Sequence, residues 1–251
     1  MFKNRLVLII GISLILLICL IVFNYYYQNS IKPVSTDKGV VDSKTSESDE
    51  LLDNNKKIIE NAVNTINSDS PLITKDDVLL GDLSASVKII AYLDYTCSFC
   101  ADLALNLDAV MKEYDNKIVL AVRHFPMRTN TDSFVAALSL ECAGEQDKYW
   151  DMHNLVYRTI RTGTSSGDMY GNIASEIDLN ISKFNECTTG DDVQEKIIKQ
   201  TKEAKAFGVI GTPTMYINDK VYPGAIPLDD FVDSQGISRE GLRSIIEDLL
   251  G

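Results

Sequence analysis

One long apolar run stands apart from the rest of the chain, at its N-terminus. It extends from Leu6 to Phe23 and follows the basic residues Lys3 and Arg5. At about 1.5 Å per residue, a helix of this length nearly spans the hydrocarbon core of a bilayer. Tyrosines 25–27 follow it, where an interfacial aromatic belt would lie. The pattern predicts a membrane anchor over residues 1–28, with its N-terminus in the cytoplasm and the remaining chain outside.

A cleaved signal peptide is the alternative for this segment. Such a peptide usually has a shorter apolar region, of about 7–15 residues, and ends in small residues at the cleavage site. The sequence after Ile21 contains no such site, and Cys19 follows the large Ile18 rather than a small residue. An uncleaved anchor is therefore favoured.

A polar segment follows the anchor. Residues 28–50 are rich in Ser, Thr, Lys, Asp and Glu, which is typical of a flexible tether. Apolar residues then recur at roughly helical spacing over 51–67, so a short amphipathic helix is expected before Ser70-Pro71. We assign residues 29–71 to this tether.

The pattern changes again at residue 72, where an α/β domain is predicted to begin and to continue to 251. Val87 to Leu93 is a continuous apolar run with β-branched residues, typical of a strand buried on both faces. From Cys100 to Tyr114, apolar residues recur every three or four positions, as on one face of a helix. Ile118 to Val122 is a second buried strand. The order is therefore strand, helix, strand.

The second half of this domain is predicted to be mostly helical before it returns to strands. Helical periodicity or composition covers Phe134 to Ala143, Tyr149 to Tyr157, Met169 to Ile177 and Val193 to Ala204. Thr214 to Ile217 is predicted as a short strand, and Val221-Tyr222 begins the returning strand. Ser238 is predicted to cap a final helix.

Composition narrows the function mainly by exclusion. The chain has 251 residues, 45% hydrophobic residues and a formal net charge of −12. The hydrophobic content is ordinary for a globular protein. An acidic chain without a basic surface is a poor candidate for binding nucleic acid.

The predicted location outside the cytoplasm changes how the cysteines are interpreted, because thiols can be oxidised there. Cys19 lies in the predicted anchor, and the exported part contains four more cysteines: Cys97, Cys100, Cys142 and Cys187. Cys97-Ser98-Phe99-Cys100 is placed where the first strand meets the first helix. Two cysteines three residues apart at a helix start lie close enough to form a disulfide.

The spacing assigns different roles to these two cysteines. Cys97 lies at the helix N-terminus, where free N–H groups and the positive end of the helix dipole stabilise a thiolate, which is the nucleophilic form. Cys100 lies one turn further, on the apolar face, and is expected to be buried. Cys97 would therefore exchange with a substrate and Cys100 would resolve the mixed disulfide.

Two other interpretations of the C-x-x-C remain open. It could be half of a zinc site, which needs two more ligands, but neither Cys142 nor Cys187 belongs to a second C-x-x-C. It could also be a purely structural disulfide. The position between strand and helix favours redox chemistry, with no metal and no cofactor other than the Cys97–Cys100 disulfide.

Several motifs together resemble the DsbA-type thioredoxin family of exported bacterial thiol–disulfide oxidoreductases. They occur in collinear order over about residues 72–250: D-Y-T-C-S-F-C from Asp94, R-H-F-P from Arg123, C-A-G-E-Q from Cys142, Tyr149-Trp150, and G-T-P-T from Gly211. The resemblance implies a thioredoxin fold with a helical insertion, at about residues 128–207.

The resemblance also implies roles for residues outside the C-x-x-C. Pro213 matches a proline that is cis in that family and faces the cysteines, and such a bond is rare and held by context. The backbone of Thr212 would pair with an extended substrate segment, and Ser98 and Phe99 would contact the substrate. Phe99, Tyr95 and Met215 could form an apolar patch for unfolded substrates, although Met215 could equally be core.

Cys142 and Cys187 both fall in the predicted helical insertion, and we expect a structural disulfide between them. Two separate buried thiols, or a second redox pair, are the alternatives. His124 and His153 are the two histidines of the chain, and we expect structural or surface roles for both.

The chain departs from the family pattern at two places. The family usually carries a buried acid six residues before the first cysteine, thought to help move the proton of the buried cysteine, and Ala91 occupies this position. Asp94 is nearer and could be a solvated cap or a proton carrier. Ser98-Phe99 replaces the Pro-His of the archetypal oxidase. We therefore expect a couple less oxidising than the roughly −120 mV of DsbA, nearer the roughly −180 mV of protein disulfide isomerase.

The sequence thus predicts an extracytoplasmic, membrane-anchored oxidoreductase that introduces disulfides into reduced or unfolded exported polypeptides. By resemblance, its reoxidant would be a quinone-linked membrane protein of the DsbB or vitamin K epoxide reductase type. A monomer is expected, because no strong dimerisation segment is visible. A disulfide reductase or isomerase, a non-catalytic substrate-binding chaperone, and a factor dedicated to one client remain alternatives.

Overall fold

The computed structural model describes residues 69–127, 132–163 and 168–251. The predicted anchor over 1–28, Cys19, and nearly all of the tether, with its expected helix over 51–67, lie outside the described residues. In the three described ranges, no helix is both long enough and apolar enough to cross a bilayer.

The described residues form seven strands and seven helices. The strands are β1 (Leu79–Leu80), β2 (Val87–Leu93), β3 (Ile118–His124), β4 (Thr214–Ile217), β5 (Lys220–Pro223), β6 (Phe231–Val232) and β7 (Ser238–Arg239). The helices are α1 (Ser98–Glu113), α2 (Asp132–Gly144), α3 (Tyr149–Thr162), α4 (Met169–Glu176), α5 (Ile181–Thr188), α6 (Asp191–Ala206) and α7 (Leu242–Leu250).

The main sheet has the strand order β1-β3-β2-β4-β5. Its two central strands, β2 and β3, are parallel and are joined by α1, whereas the other pairs are antiparallel. A parallel pair needs a crossover connection, which α1 supplies. The α/β class predicted from the sequence is confirmed.

Alternation along the central strands separates two hydrophobic cores. One face of β2, with Ile89 and Leu93, packs in the larger core with α1 and α7. The other face, with Ile90 and Tyr92, packs in a smaller core that includes Ala204 of α6. Since successive strand residues point to opposite faces, an apolar residue at nearly every position of β2 and β3 is what a sheet covered on both sides requires.

Arg123 closes the smaller core with a buried ion cluster. Its guanidinium donates to Asp77 through two nitrogens, at 2.8 and 2.7 Å, and it also pairs with Glu203 of α6. Arg123 and Asp77 are almost fully buried. This cluster fixes the segment before β1 and the end of α6 against the middle of the sheet.

Five helices, α2 to α6, lie between β3 and β4, where four were predicted. The additional one is α5, whose only buried residue is Phe184, so it lacks the apolar repeat on which the prediction depended. Asn180 caps it by accepting from the backbone N–H of Lys183 at 3.0 Å. A cap residue before an apolar position was a signal available in the sequence.

The prediction that Ser238 caps the final helix is wrong. Ser238 belongs to β7, and α7 begins only at Leu242, after Gly241. Backbone carbonyls satisfy the first N–H groups of α7 instead, because Leu242 donates to Pro227 at 2.9 Å and Arg243 donates to Leu228 at 3.1 Å. The Asp230 carboxylate accepts from the backbone N–H of Gly241 at 2.8 Å and from the hydroxyl of Ser244 at 2.7 Å. A Cβ at position 241 would lie 2.3 Å from the backbone of Asp229, so only glycine fits this approach.

Cys142 of α2 and Cys187 of α5 are joined by a disulfide, with their Cα atoms 5.7 Å apart. Of the three interpretations of these cysteines, the bonded pair is the one present in the structure. It ties a helix that buries little of its own surface to one that is almost entirely buried.

Removing this disulfide is expected to destabilise the domain. The two cysteines are 45 residues apart, for which loss of the constraint on the unfolded chain corresponds to about 4 kcal/mol. Denaturant unfolding of Cys142→Ala/Cys187→Ala should show a decrease of this order. A reductant should lower the stability of the wild type by more than that of the double variant, in which Cys97 and Cys100 are the only pair left in this domain to reduce. Equal stability of the two proteins without reductant would contradict the expectation.

Candidate active site

The C-x-x-C lies where β2 ends and α1 begins. Cys97 is the N-cap of α1, with an extended backbone, and its carbonyl oxygen accepts from the N–H groups of Cys100 and Ala101 at 3.1 and 3.2 Å. Its own N–H donates to the Asp94 carbonyl at 3.1 Å. The chain therefore makes one tight turn after the strand and enters the helix at Cys97. The first N–H groups of the helix, which have no partner within it, lie at this N-terminal end beside Cys97.

The two sulfurs differ sharply in their access to solvent. Cys97 is half-buried, whereas Cys100 is completely buried, and both are free thiols. Burial raises the pKa of the Cys100 thiol far above its usual range, and a hydrogen bond from the backbone N–H of Asp94, at 3.4 Å, offsets only part of this effect. An incoming thiol can therefore reach only Cys97, while Cys100 is held protonated behind it.

The loop before β4 covers the exposed sulfur. The Thr212–Pro213 peptide bond is cis, and Pro213 is buried. The Cys97 thiol donates to the Thr212 carbonyl oxygen at 3.6 Å, a long contact that is within the range of sulfur. The loop is held from both sides: Thr214 Oγ1 donates to the Gly211 carbonyl, and the Gly224 N–H donates to the Pro213 carbonyl, both at 2.8 Å. The structure thus brings Cys97, Thr212 and Pro213 together.

A groove of about 570 Å³ opens beside Cys97. Met127, Ser133 and Thr212 are among its lining residues. Ser98 and Phe99 are exposed next to it, with 65% of Phe99 accessible to solvent, and Ile210, just before the Gly211-Thr212 wall, is 93% exposed.

Two of the three residues expected to form an apolar patch at this site are not available for it. Tyr95 and Met215 are buried and take no part in it. The role of Phe99 in substrate binding stays a prediction. Met127 and Ile210, which the sequence analysis does not single out, are also exposed, and Met127 lines the groove. Both belong to loops, whose positions a pattern of apolar residues does not reveal.

Asp94 is buried rather than solvated. One carboxylate oxygen accepts from the backbone N–H and the hydroxyl of Thr96, each at 2.8 Å, and the other accepts from the backbone N–H of Met127 at 3.0 Å. These bonds join the turn before Cys97 to the loop after β3. Because both oxygens are already occupied, the geometry favours a positioning role over a proton carrier.

An aromatic cluster behind this turn connects it to the helical insertion. The ring of Tyr95 stacks on Tyr157 with centroids 4.6 Å apart, and its hydroxyl is 2.8 Å from Nδ1 of His153 and 3.4 Å from the hydroxyl of Tyr149. Tyr149, His153 and Tyr157 follow one another at intervals of four along α3, which places them on one face. This spacing is a signal that the sequence alone contains.

His124 lies at the end of β3 and is completely buried. Its Nε2 is 3.0 Å from Glu141, whose other oxygen accepts from Lys196 at 2.6 Å. Burial by itself would raise the pKa of Glu141, but the hydrogen bond and charge of His124 and the charge of Lys196 lower it overall. His124 is thus structural in this fold.

Zinc binding is not supported by the positions of the cysteines. Cys142 and Cys187 are bonded to each other and cannot act as ligands beside Cys97 and Cys100. Within the described residues there is no group of three or more His, Cys, Asp or Glu side chains placed to hold a metal ion.

Comparison with protein families and curated proteins supports the predicted resemblance. Residues 73–247 match the sequence model of a family described as Thioredoxin. The chain spans about a quarter of the length of the curated relatives that it matches first: the Na(+)/H(+) antiporter NhaA 1 of Mycobacterium sp. (strain KMS) is 27% identical over 157 residues, which are 61% of this chain and 25% of the antiporter. A Rickettsia typhi protein that carries the name protein-disulfide oxidoreductase is 27% identical over 154 residues, which are 58% of this chain and 56% of that protein.

Solved structures show the same fold. The thiol-disulfide exchange protein alpha-DsbA2 from Wolbachia pipientis aligns with a TM-score of 0.59 at 22% identity, covering 82% of this chain and 100% of that one. BdbD from Bacillus subtilis aligns with a TM-score of 0.56 at 19% identity, covering 70% and 94%. The thioredoxin-like fold predicted from the sequence is confirmed.

Replacing Asp94 by Asn should loosen the turn before Cys97. An amide has one acceptor oxygen, so its NH₂ group would face a backbone N–H that now has a carboxylate partner, and a buried donor without an acceptor costs about 1–3 kcal/mol. Denaturant unfolding of Asp94→Asn should show this loss. Asp102→Asn, at an exposed position of α1, is the matched control and should leave stability unchanged; an equal effect of the two substitutions would refute the positioning role.

His153 should make the stability of the domain depend on pH. Burial, and to a lesser extent the charge of His124, lower its pKa from 6.5 to about 3. The unfolded chain therefore binds a proton between pH 7 and 5 that the folded chain excludes, so the free energy of unfolding should fall by about 2 kcal/mol over this range.

The test is denaturant unfolding of His153→Gln at both pH values. This variant should lose most of the dependence, although it is less stable overall. Tyr95→Phe, which keeps the buried imidazole, should retain it. A slope that is the same in the wild type and in His153→Gln would assign the dependence to other groups.

Proposed function

This chain belongs to the Thioredoxin family that it matches over residues 73–247, with DsbA-like thiol–disulfide oxidoreductases among its relatives, and on this premise we propose that it oxidises reduced polypeptides outside the cytoplasm. The observation that carries the proposal is the pair of sulfurs one helical turn apart: Cys97 half-buried at the tip of α1 and Cys100 sealed behind it. This arrangement separates a sulfur that meets substrates from one that does not.

The exchange proceeds in two balanced steps. A substrate thiolate attacks Cys97 in the Cys97–Cys100 disulfide, which forms a substrate–Cys97 bond and releases Cys100 as a thiolate that takes up a proton. A second substrate thiolate then attacks the substrate sulfur of the mixed disulfide and releases Cys97. The substrate loses two electrons and gains a disulfide, while the protein gains them and is left with two thiols, the form described above.

The surroundings of Cys97 support each step. At the N-terminus of α1, unpaired backbone N–H groups favour negative charge on the sulfur that is released in the second step. Burial raises the pKa of the Cys100 thiol, so the thiolate released in the first step is rapidly protonated and re-attacks the mixed disulfide only slowly. The high pKa also makes Cys100 a poor nucleophile toward a substrate already held on Cys97, which favours completion of oxidation.

Substrates would bind across the Thr212 loop. The backbone of Thr212 lies next to the Cys97 sulfur, where an extended segment can pair with it as an added strand. Ser98 borders the same opening, and the exposed side chains of Phe99, Met127 and Ile210 offer apolar contacts to unfolded chains. We propose that binding does not require one particular substrate sequence, because these contacts are either apolar or made with the substrate backbone.

The proposed location rests on the second disulfide. Cys142–Cys187 is bonded in the structure, and such bonds persist in oxidising compartments. We propose that the domain is extracytoplasmic, tethered by the anchor predicted over residues 1–28, and monomeric. A quinone-linked membrane protein of the DsbB or vitamin K epoxide reductase type would reoxidise it, and confinement to one membrane raises the effective concentration of the two partners.

Trapping tests both the site and its clients. Cys100→Ala should accumulate mixed disulfides with oxidised clients, because the Cys97 thiolate attacks a client disulfide, displaces one client thiolate, and leaves no second sulfur that could release the client from the protein side. These adducts should appear on non-reducing gels, disappear with reductant, and be absent from Cys97→Ser/Cys100→Ala. Adducts that persist in the double variant would rule out Cys97 as the exchanging sulfur.

Equilibration with glutathione tests the direction. A potential near −180 mV supports oxidation, whereas one near the −270 mV of thioredoxin assigns a reductase. A substrate-holding activity that is unchanged in Cys97→Ser would identify a chaperone instead.

A further inference from the structure

A second cavity lies between α1 and α3, and Cys97 is not among its lining residues. It has an inner lobe of about 270 Å³ and an outer lobe of about 540 Å³. The lobes share Ala104, Asp108, Lys112, His153 and Asn154, so they adjoin along the two helices. We call the two lobes together the α1–α3 groove. Small-molecule sites typically occupy about 300–1,000 Å³, and the outer lobe alone falls in this range.

One face of α3 forms most of this groove, and its character changes along the helix. The lining residues of α3 recur at helical spacing: Trp150, His153, Asn154, Tyr157, Arg158 and Arg161. At the inner end, Trp150 faces Met111 of α1 and Leu80 of β1. At the outer end the helix presents two arginines. The inner lobe also includes Asp115 and Asn116, so the groove is mainly apolar at one end and cationic at the other.

His153 supplies a polar atom between the two ends. Its side chain is 95% buried, and its Nδ1 is paired with the Tyr95 hydroxyl. Its Nε2, on the opposite edge of the ring, has no hydrogen-bond partner in ranges 69–127, 132–163 and 168–251, while the ring lines both lobes. The buried side-chain atoms without a partner in the described residues are Nδ1 of His124, Oγ of Ser133 and the Tyr157 hydroxyl, so Nε2 of His153 is not sealed in the core and can be reached from the groove. Burial keeps this imidazole neutral, since it lowers its pKa to about 3, so an uncharged hydroxyl or carbonyl group suits it.

The charges at the outer end are not balanced locally. Asp108 and Lys112 neutralise each other at 2.6 Å. Arg158 has a long contact of 3.5 Å with Glu176, and Arg161 is exposed and has no ion-pair partner in the part of the chain that the structure describes. A cationic end is notable in a chain with a net charge of −12, and it complements a carboxylate.

We propose that the α1–α3 groove binds a small amphipathic carboxylate that carries a hydroxyl or carbonyl oxygen on its apolar body. The carboxylate pairs with Arg161 at the outer end. The apolar body lies along Ala104 and Tyr157, and the oxygen bonds to Nε2 of His153. Arg161 and His153 are eight residues apart on α3, which is about 12 Å along a helix, so an unbranched chain of about ten to twelve carbons spans them. The proposal is independent of thiol exchange.

The sequence offers two uniquely placed probes for a test on the full-length chain. Trp150 is the only tryptophan and lines the inner lobe, and the chain has only two histidines. Titration with 12-hydroxydodecanoate, with the chain held in lipid bicelles, should change the fluorescence of Trp150 saturably. With ¹⁵N-labelled histidine, the Nε2 resonance of His153 should shift, while that of His124, already paired with Glu141, should not.

Variants and matched ligands decide which contacts matter. Arg161→Ala should weaken binding about two- to fivefold, as expected for one exposed ion pair, while Lys205→Ala, an exposed position on α6, should not. Dodecanoate should bind without moving the His153 resonance, and dodecan-1-ol should bind more weakly than either acid.

Three outcomes would overturn the proposal. They are a fluorescence change that does not saturate, equal affinity of Arg161→Ala and the wild type, and an unchanged His153 resonance in the presence of saturating 12-hydroxydodecanoate.

Discussion

The structure depends most on a difference in burial between two sulfurs that are one helical turn apart. The end of β2 fixes the position of the turn, the turn fixes the start of α1, and the helical rise then places Cys100 in the core while Cys97 remains at the rim. The cis peptide before Pro213 completes the arrangement by bringing the Thr212 carbonyl to the outer sulfur. Everything else in the described domain can be understood as support for these three chain segments.

Two kinds of support are visible. On one side, the Asp94 carboxylate accepts from the backbone N–H of Thr96 in the turn and from that of Met127 in the loop after β3, so it joins these two segments. On the other side, Tyr95 enters the aromatic cluster of α3. The helical insertion is thus fastened to the active-site turn itself, through a side chain only two residues from Cys97. Arg123 provides the equivalent anchorage on the far face of the sheet, where a buried cation is satisfied by two acids.

The sequence predicted those parts of the structure in which local pattern and tertiary packing agree. β2 and β4 occur at the expected bounds, because strands covered on both faces must be apolar throughout. The C-x-x-C was placed correctly, since a helix start after a buried strand determines where both sulfurs lie. α5 was missed because it buries one side chain and is held by a disulfide rather than by an apolar face. Ser238 was misplaced because the carbonyls of Pro227 and Leu228, remote from the helix start in sequence, satisfy the first N–H groups of α7. Tyr95 was assigned to the surface because its partners on α3 lie more than fifty positions away.

The disulfide in the insertion has a consequence for how the protein matures. A newly synthesised copy has reduced cysteines, and forming the disulfide between α2 and α5 requires the removal of two electrons. This oxidation of two thiols to a disulfide is the reaction that we propose for the Cys97–Cys100 pair on other chains. Copies that lack the Cys142–Cys187 disulfide are therefore themselves substrates for copies that already have it. Maturation would then be autocatalytic, because each oxidised molecule would help to form the Cys142–Cys187 disulfide in the next copy. A cell without any oxidised copy would need another oxidant to produce the first one.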